Sequence, residues 1–400
     1  MPEFWHKIYM LFLMPVLLPI VLTIRLLRPL VLIRIGLLQT NRIGQFAADV
    51  EVYLCERDSG IAGPNAGNRS RWTLDIFYHA PSVSNRQLKK MWDRTLLVSR
   101  FARPVDELNQ KFPGYKRHDV PMAWERDLHG LLASTPPHLT FTKEEQNQGE
   151  AGLREMGIPE GANYLYFFAR DNSYLDASLE PRKSVGGWRY HDYRNSYIDN
   201  YVPAAEELSR RGYFAVRMGA AVLEGLKTTD PKIIDYATKY RSDFLDVYLG
   251  ANCRFALGDT AGIYGLPTIF RRPMAFVNFI PLELAHTWNP QDLFIPKKLW
   301  LEKEERFMTF REVLESGAGL YVQSQRYEES GIQAIENTPE EIHALAMEMD
   351  ERLNGTWQMT GEDEDLQRRF WSLFKSSEYH GTIRSHIGAE FLRQNQELLD

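Results

Sequence analysis

The sequence predicts an α/β protein with two domains. Its 400 residues exceed the usual size of a single hydrophobic core. Short apolar runs alternate with amphipathic segments along most of the chain, and this alternation is typical of βαβ units with parallel strands. An apolar segment begins the chain and amphipathic helices end it. We therefore place an N-terminal segment at 1–29, a first α/β domain at 30–155 and a second at 156–400.

The composition excludes several classes of function. The chain is 44% hydrophobic and 25% charged, as in globular proteins, and it has no low-complexity tract. Its formal net charge of −6 does not suit a nucleic-acid-binding protein, which normally carries a basic domain or stripe. Cys55 and Cys253 are far apart in the sequence and lack metal-ligand spacing. We expect them to be buried free thiols in a reducing compartment.

The N-terminal segment has the composition of a membrane-associating helix. The run from Ile8 to Ile24 is uncharged, and three arginines follow it, at positions 25, 28 and 34. Two prolines interrupt the run, which is short for a membrane span and has no small-residue cleavage site. The pattern favours a helix that lies in or dips into the cytoplasmic leaflet, and hence a cytoplasmic protein peripherally associated with the inner membrane. A helix packed on the protein's own core is the alternative.

The first domain is predicted from two long apolar runs and the segments between them. Residues 30–38 (LVLIRIGLL) predict a buried strand, and Gly44 lies where a turn into the next element is expected. Residues 51–56 (EVYLCE) and 73–79 (TLDIFYH) predict further strands. A helix is expected within 85–95. These elements together suggest an α/β unit.

The second domain shows a clearer β-α-β order. Its strands are predicted at 163–170, 213–219, 253–259 and 274–280. Helices are predicted at 199–212, 242–252, 338–353 and 385–399. Ser242 is expected to cap the second of these helices, and Thr338 with Glu341 forms a capping box at the start of the third. Parallel strands joined by right-handed crossovers are the expected topology.

Common catalytic motifs are missing from the sequence. It contains no P-loop, no dinucleotide fingerprint, no nucleophile elbow and no HExxH zinc motif. Asp363 and Asp365 have the spacing of a D-x-D metal motif, but they lie in the acidic run GEDEDLQRR, which we interpret as a solvated surface. The sequence thus gives no metal ligands and no bound cofactor.

Polar residues stand at the ends of three predicted strands of the second domain. Arg170 and Asp171 follow the first strand, Arg217 ends the second, and Asp259 precedes Thr260 at the end of the third. In an open parallel sheet the ligand crevice lies at the carboxyl ends of the strands. An arginine there suits a pyrophosphate, because its donors form a planar fork.

Small residues continue this pattern. Gly219 lies just behind the second strand, and the loop GDTAGIYG places Ala261 and Gly262 after the third, where backbone N–H groups could approach a phosphate. Two other interpretations stay open. Arg170 and Asp171 could form an ion pair that covers the sheet edge, and Arg194 with Asn195 could only cap the helix that follows them.

Four stretches resemble a bacterial family of surface-polysaccharide glycosyltransferases. They are FFARD, YRNSYIDNYVPAAEELSRRGYFAVRMG, SDFLDVYLGANCRFALGDTAGIYGLPTIF and ENTPEEIHALAMEMDERLNGTW. The resemblance runs from about residue 30 to the end of the chain and is densest between Tyr164 and Asn278. More distantly, the sequence is similar to protein O-fucosyltransferases and heptosyltransferases. The resemblance implies the GT-B-type fold of two Rossmann-like domains, here with a C-terminal helical tail and an apolar N-terminal helix.

The resemblance also implies a donor site in the second domain. Arg170 would meet the diphosphate of a nucleotide sugar, and the same pocket would be lined by Asp171, Arg194, Asn195, Arg217, Gly219, Asp259, Thr260 and Gly262. The first domain would hold the acceptor, with Arg42, Gly44 and Gln45 in its glycine turn. Gln45 stands where many relatives are expected to have histidine.

An inverting transfer needs a base for the acceptor hydroxyl. Asp49 is the predicted catalytic base, with Glu51 and His79 as alternatives; a carboxylate on a helix surface is the plainer interpretation of Asp49 and Glu51. Arginines and backbone amides can stabilise the leaving diphosphate, so a metal is not required.

These inferences predict a metal-independent glycosyltransferase, a hexosyltransferase or a related enzyme. It would move a sugar from a nucleotide-sugar donor to a glycan or glycolipid acceptor in surface polysaccharide synthesis, without a cofactor or a nucleic-acid partner. A non-catalytic nucleotide-sugar or glycan-binding assembly protein of the same fold is the alternative. A scaffold whose arginines only pair with carboxylates is a third possibility.

Overall fold

The computed structural model describes residues 3–61, 72–122, 126–171, 189–222, 224–286, 288–375 and 379–400. The chain divides into two compact units. The first consists of Met1–Arg126 and Pro137–Thr140, and the second of Asp127–Pro136 and Phe141–Asp400. Each unit is described by itself below.

The first unit is built on two parallel strands and four helices. The strands are β1 (Val31–Leu38) and β2 (Trp72–His79), paired from Val31 with Trp72 to Leu38 with His79. Single parallel bridges join Ile35 to Asp119 and Phe77 to Val98. The helices are α1 (Glu3–Leu27), α2 (Ile43–Asp58), α3 (Arg86–Thr95) and α4 (Ala102–Asn109), and a one-turn helix spans Tyr115–His118.

The prediction of a strand at residues 51–56 is wrong, because these residues form the second half of α2. Nearly all of α2 from Phe46 to Cys55 is buried. A helix buried on every side has no polar stripe that would mark it as a helix, and its apolar stretch 52–55 (VYLC) is also typical of an interior strand. The helix begins at Ile43, close to the turn predicted at Gly44.

Arg34 lies inside the first unit and not beside a membrane surface. Its Nε donates to Asp75 Oδ1 at 2.6 Å, and its Nη2 donates to Asp75 Oδ2 at 2.9 Å and to the Tyr53 hydroxyl at 2.8 Å. Arg34 is 2% exposed. These contacts join β1, β2 and α2, so the prediction that groups Arg34 with the arginines beside the membrane is wrong.

The second unit is built on a seven-stranded sheet, in which every pair of neighbouring strands is parallel. The order is β12-β8-β7-β6-β3-β4-β5. Its strands are β3 (Tyr164–Phe168), β4 (Phe214–Arg217), β5 (Ile233–Ile234), β6 (Phe255–Gly258), β7 (Met274–Phe279), β8 (Leu293–Pro296) and β12 (His386–Ile387). A separate antiparallel sheet has the order β10-β9-β11, with β9 at Lys298–Leu301, β10 at Arg306–Phe307 and β11 at Ile332–Ile335.

The helices of the second unit are α5 (Lys143–Glu155), α6 (Val202–Arg210), α7 (Tyr236–Lys239), α8 (Asp243–Asn252), α9 (Gly265–Ile269), α10 (Phe310–Glu315), α11 (Ser324–Glu329), α12 (Pro339–Asn354), α13 (Gly361–Ser372) and α14 (Ala389–Gln394). The Ser242 side chain caps α8 by accepting from the Leu245 N–H at 3.1 Å, and Thr338 and Glu341 form the capping box of α12. Both caps were predicted from the sequence and are confirmed.

The mixed α/β class and the parallel sheet of the second unit are confirmed. Strand β3 is buried at all five positions, as expected for a central strand that helices cover on both faces. Cys55 and Cys253 are buried free thiols, also as predicted. The GT-B-type arrangement and the predicted domain limits stay predictions.

Two details of the C-terminal region differ from the prediction. The helix expected at 385–399 is divided, because His386 and Ile387 pair with β8 as an edge strand and only Ala389–Gln394 is α-helical. The predicted solvated surface at 361–369 is the first part of α13. There, Asp363 is buried, caps the helix and pairs with Arg393 at 2.8 Å, which gives this acidic residue a structural role.

We expect Asp75→Ala to destabilise the first unit by about 3–5 kcal/mol, because it leaves the Arg34 charge buried without a carboxylate. The buried thiol of Cys55, followed in a Cys253→Ser background, reports opening of this unit as a function of urea. Glu107→Ala is the control, since it removes an exposed ion pair with Arg103 that should contribute only about 0–1 kcal/mol. Equal urea midpoints for the two variants would contradict the prediction.

Candidate functional site

The strand order of the second unit creates a topological switch point between β3 and β6. From β3 the chain proceeds to β4 and β5 on one side, then returns to β6 on the other side of β3 and continues to β7 and β8. The connections on the two sides of this point diverge, so the carboxyl ends of β3 and β6 are where a ligand crevice is expected. The residues directly after these strands are therefore the candidates for ligand binding.

Asp259 joins three segments at this point. Its Oδ2 accepts from the Arg170 backbone N–H and from the Ser196 hydroxyl, each at 2.6 Å. Its Oδ1 accepts from the Ala261 backbone N–H at 2.9 Å. Burial raises the pKa of Asp259, while the hydrogen bond from Ser196 and the Arg170 contact act in the opposite direction. The carboxylate thus fixes the chain after β3, the chain before α6 and the loop after β6.

The Arg170 side chain lies partly buried beside this carboxylate. Its Nε is buried and has no hydrogen-bond partner among the residues that the structure describes. Burial lowers the pKa of Arg170 to about 10, and the neighbouring Arg194 cation contributes in the same direction, so Arg170 is still charged at neutral pH. The alternative of an ion pair between Arg170 and Asp171 stays open. Asp171 follows at the same strand end and is partly buried.

Arg194 binds the loop after β6. Its Nε donates to the Thr260 hydroxyl at 3.2 Å and its Nη2 donates to the Thr260 carbonyl oxygen. The one-turn helix Ile198–Tyr201 begins after Tyr197 and has no side-chain cap, so Arg194 does not serve as a helix cap. Two cations, Arg170 and Arg194, therefore lie near one buried carboxylate. An anionic ligand would relieve this excess of positive charge.

Asn195 contributes mainly through its backbone. Its carbonyl oxygen accepts from Lys297 Nζ at 2.6 Å, and its side-chain amide donates to Asp192 Oδ1 at 3.4 Å. Its Oδ1 is buried without a hydrogen-bond partner among the described residues. Asn195 thus lies within the same site without capping the following helix.

Arg217 is buried and pairs with a carboxylate inside the protein. It ends β4 next to β3, as the sequence predicted, but it is buried and donates to Asp235 Oδ1 at 3.0 Å. Asp235 Oδ2 in turn accepts from the Leu226 N–H at 3.1 Å. A Cβ on Gly219 would lie 2.5 Å from Val222, so local packing accounts for this glycine. The pairing satisfies the charge of Arg217 internally, in contrast to that of Arg170.

The glycines after β6 have different roles. A Cβ on Gly258 would lie 2.4 Å from the Phe168 ring, so this glycine allows β6 to pack beside the end of β3. Gly262 begins a one-turn helix, Gly262–Tyr264, which is followed directly by α9. Gly262 therefore lies in the turn that follows Thr260 and Ala261 at the switch point.

Sequence reasoning missed three polar residues of this site. Ser196 is the hydroxyl donor to Asp259. Lys297 follows β8 and is buried, and burial lowers the pKa of its amine while the carboxylates of Glu336 and Asp259 oppose the shift. Glu336 accepts from the Tyr197 backbone N–H at 3.1 Å. Recognising the short run LFIP as strand β8 would have pointed to Lys297, since it is the first residue beyond that strand's carboxyl end.

The predicted acceptor-side residues lie together at the start of α2 in the first unit. Arg42 is exposed just before the helix, Gly44 is buried, and Gln45 is partly buried. Asp49 is four residues after Gln45, so the two side chains share a helix face. Asp49 is buried, which differs from the exposed carboxylate of the plainer interpretation. His79, an alternative base, contacts Asp93 Oδ1 at 2.7 Å.

A second cluster of ionisable groups lies at the other end of α2. Glu51 Oε1 contacts His138 Nδ1 at 3.0 Å, and His138 Nε2 contacts Asp58 Oδ2 at 3.0 Å. Contacts with Cys55 and Glu51 raise the pKa of His138 to about 10. Glu51, Cys55 and His138 also present three ligand atoms within 4.8 Å of one another, a donor set that zinc accepts. A protonated His138 between two carboxylates accounts for the cluster without a metal.

We expect His138→Gln to destabilise the first unit by roughly 1–3 kcal/mol at pH 6, since it removes the cation between Glu51 and Asp58. The pKa of His138 is raised on folding, so its contribution is complete below the ordinary value near 6.5 and is lost as the pH rises through about 10. Hydrogen exchange of α2 peptides in the wild type and the variant measures this difference.

A difference between wild type and variant that does not shrink at high pH would contradict this account. His343→Gln provides a control for replacing a histidine outside the cluster. Loss of stability on dialysis against EDTA would show that a metal, and not a proton, holds the cluster together.

No protein-family model matches the sequence, and no curated protein matches it. Among solved structures, the glycosyl transferase family 9 protein from Veillonella parvula DSM 2008 is similar with a TM-score of 0.37 and 11% identity, over 66% of this chain and 85% of that one. The ADP-heptose lps heptosyltransferase II of E. coli is similar with a TM-score of 0.30 and 13% identity, over 61% of this chain and 84% of that one. TM-scores below 0.5 do not establish a common fold, so the function of this chain has to be argued from its own side chains. The resemblance to O-fucosyltransferases and to a surface-polysaccharide family stays a prediction.

Proposed function

We propose that this protein is a glycosyltransferase that binds the diphosphate of a nucleotide sugar at the switch point of the second unit. One observation carries the proposal: the Nε of the partly buried Arg170 is buried, has no hydrogen-bond partner among the described residues, and belongs to a guanidinium beside a second cation, Arg194. Buried cations are normally paired with carboxylates. Here Asp259 makes its short hydrogen bonds to Ser196 and to two backbone N–H groups, so a diphosphate is the ligand that suits the remaining donors.

The surrounding residues support such a ligand in different ways. Arg170 would contact the phosphate oxygens directly, because its planar fork matches their geometry. Arg194 holds the Thr260 loop in place, and Gly262 follows in the same turn. Arg217 would act at a distance, by fixing the segment after β4. Asp171 and Asn195 would border the pocket.

The proposed chemistry is nucleophilic displacement at the anomeric carbon. An acceptor hydroxyl oxygen forms the new bond to that carbon, while the bond from the carbon to the diphosphate oxygen breaks. The nucleoside diphosphate leaves with the electron pair, and a base takes the hydroxyl proton. Negative charge grows on the leaving oxygen during this step, and Arg170 would stabilise it without a metal.

Asp49 is the proposed base, in the first unit. It shares a helix face with Gln45, and both lie in the helix that begins at the predicted acceptor turn. A carboxylate can accept the proton of a sugar hydroxyl if burial brings its pKa closer to neutrality. We further propose that the acceptor is a glycan or a glycolipid. The reaction would serve surface polysaccharide synthesis and would take place at the cytoplasmic face of a membrane.

We expect Arg170→Ala to weaken binding of a nucleotide sugar by about 10–100-fold, which corresponds to the loss of a charge-assisted hydrogen-bond pair. Isothermal titration with a panel of UDP-, GDP-, ADP-, CMP- and dTDP-sugars first identifies the donor for the wild type. Nucleotide release with membrane glycolipid then measures transfer. The circular dichroism spectrum of the variant should be unchanged, because the Asp259 contact uses the backbone of Arg170.

Arg210→Ala is the matched control, since Arg210 is an exposed arginine on α6 that pairs with Glu207. Its donor affinity should equal that of the wild type. Absence of both binding and nucleotide release across the panel would overturn the proposal. Binding that depends on Arg170 without turnover would support the alternative of a nucleotide-sugar-binding assembly protein, and loss of the fold in Arg170→Ala would support a scaffold role.

A further inference from the structure

Helix α1 exposes more apolar surface than soluble monomers usually do. Residues Ile8–Leu27 are apolar enough and long enough to cross a membrane by composition, and only 17% of the most apolar window is buried. Its exposed side chains include Trp5, Leu11, Phe12 and Leu26, with Phe12 84% exposed. Contiguous apolar patches of this kind mark interaction sites.

The opposite stripe of α1 packs on the first unit. Met10, Leu17 and Val21 are buried, and their spacing of seven and four places them on one helix face. They belong to one cluster with Ile35 of β1 and Val105 of α4. This contact fastens the central part of the helix to the unit that follows it in sequence.

Arg25 fastens the C-terminal end of the helix in the same way. Its Nε donates to Asn109 Oδ1 at 3.0 Å, and its Nη1 donates to the Pro113 carbonyl oxygen at 2.9 Å. Its guanidinium also lies 5.3 Å from the centre of the Phe112 ring. The helix is thus held to the unit from about Met10 to Arg25.

A helix held in this way does not suit a transmembrane orientation. Crossing a bilayer would bring α4 into the hydrocarbon with it, including the exposed ion pair between Arg103 and Glu107. Pro15 and Pro19 also lie near the middle of the apolar stretch. Each proline removes an N–H, which frees the carbonyls of Leu11 and Pro15, and free carbonyls are costly at the centre of a bilayer but not at its wet interface.

The exposed face instead suits the interface of a membrane. Trp5, Ile8, Phe12 and Val16 follow helical spacing on the side opposite the buried stripe. At the far end, Trp72 is 82% exposed and is paired in register with Val31, next to the exposed Leu30. Tryptophans thus stand near both ends of a helix that is roughly 37 Å long, and tryptophan prefers the headgroup level of a bilayer.

We propose that α1 lies in the plane of a membrane, with the Trp5–Ile8–Phe12–Val16 face among the upper acyl chains and the buried stripe on the first unit. The occupant of this face is a lipid surface. The proposal specifies the orientation of the membrane contact included in the proposed function, and it does not depend on the donor site. The protein would be anchored on one side of the bilayer, with no part of α1 reaching the other side.

The first test measures binding of the full chain to vesicles of phosphatidylcholine and phosphatidylglycerol by co-sedimentation. We expect the wild type to bind and Phe12→Glu to bind about tenfold less or weaker still, since the proposal places the Phe12 ring among the acyl chains, where a charge is costly. Val322→Glu places the same charge at an exposed apolar position of the second unit and should bind like the wild type. No binding by the wild type, or equal binding by Phe12→Glu, would overturn the proposal.

The second test separates an in-plane helix from a crossing one. Glu3→Cys and Ser330→Cys, in reconstituted vesicles, are labelled with a membrane-impermeant maleimide before and after detergent; the native cysteines are buried. If the helix lies in the plane of the membrane, the two cysteines lie on the same side of the bilayer. The same fraction of each is then labelled before detergent is added, in any mixture of orientations. If the helix crosses the bilayer, the two cysteines lie on opposite sides, and the fraction labelled at one position equals the fraction protected at the other. That result would overturn the proposal. Donor binding by the same preparations shows independently whether the proposed function holds.

Discussion

The candidate site depends on the hydrogen bonds that the Asp259 carboxylate accepts. The three segments that it joins belong to no common helix or strand. One follows β3, one precedes α6 and one follows β6. Removing an ionised carboxylate from water is costly, and short hydrogen bonds from several donors offset that cost. Because the donors include the backbone N–H of Arg170, this carboxylate fixes the Cα of the arginine without a hydrogen bond to its side chain.

The arginines that lie inside the two units are not all paired in the same way. In the first unit, Arg34 donates to both carboxylate oxygens of Asp75 and to the Tyr53 hydroxyl, so a carboxylate inside the protein balances its charge. At the end of β4, Arg217 and Asp235 form a similar closed pair. Arg170 differs from both, because its nearest carboxylate is shared with other donors and a second arginine is close. The contrast makes Arg170 the candidate for ligand binding, whereas Arg34 and Arg217 hold the fold together.

The sequence predicted the second unit better than the first. Parallel strands and helix caps leave local signals in the sequence. These signals predicted the alternating strands and helices, the Ser242 cap, and the positions of Arg170 and Asp259 beyond their strands. The interior helix α2 was misread in its second half, since burial on all sides removes the polar stripe that distinguishes a helix. The partner of Arg217 could not be read either, because the loop that carries Asp235 approaches β4 only in the folded chain.

The segment Pro137–Thr140 has a consequence for the way this protein can be divided. It belongs to the first unit, although the ten residues before it, Asp127–Pro136, belong to the second. A fragment that ends at Arg126 would therefore lack the strip of chain that brings His138 to α2, and a fragment that begins at Asp127 would carry that strip without its partner. The first unit is complete only when the 14 residues from Asp127 to Thr140 are also present. A continuous stretch of sequence that ends at Arg126 therefore does not contain the whole first unit.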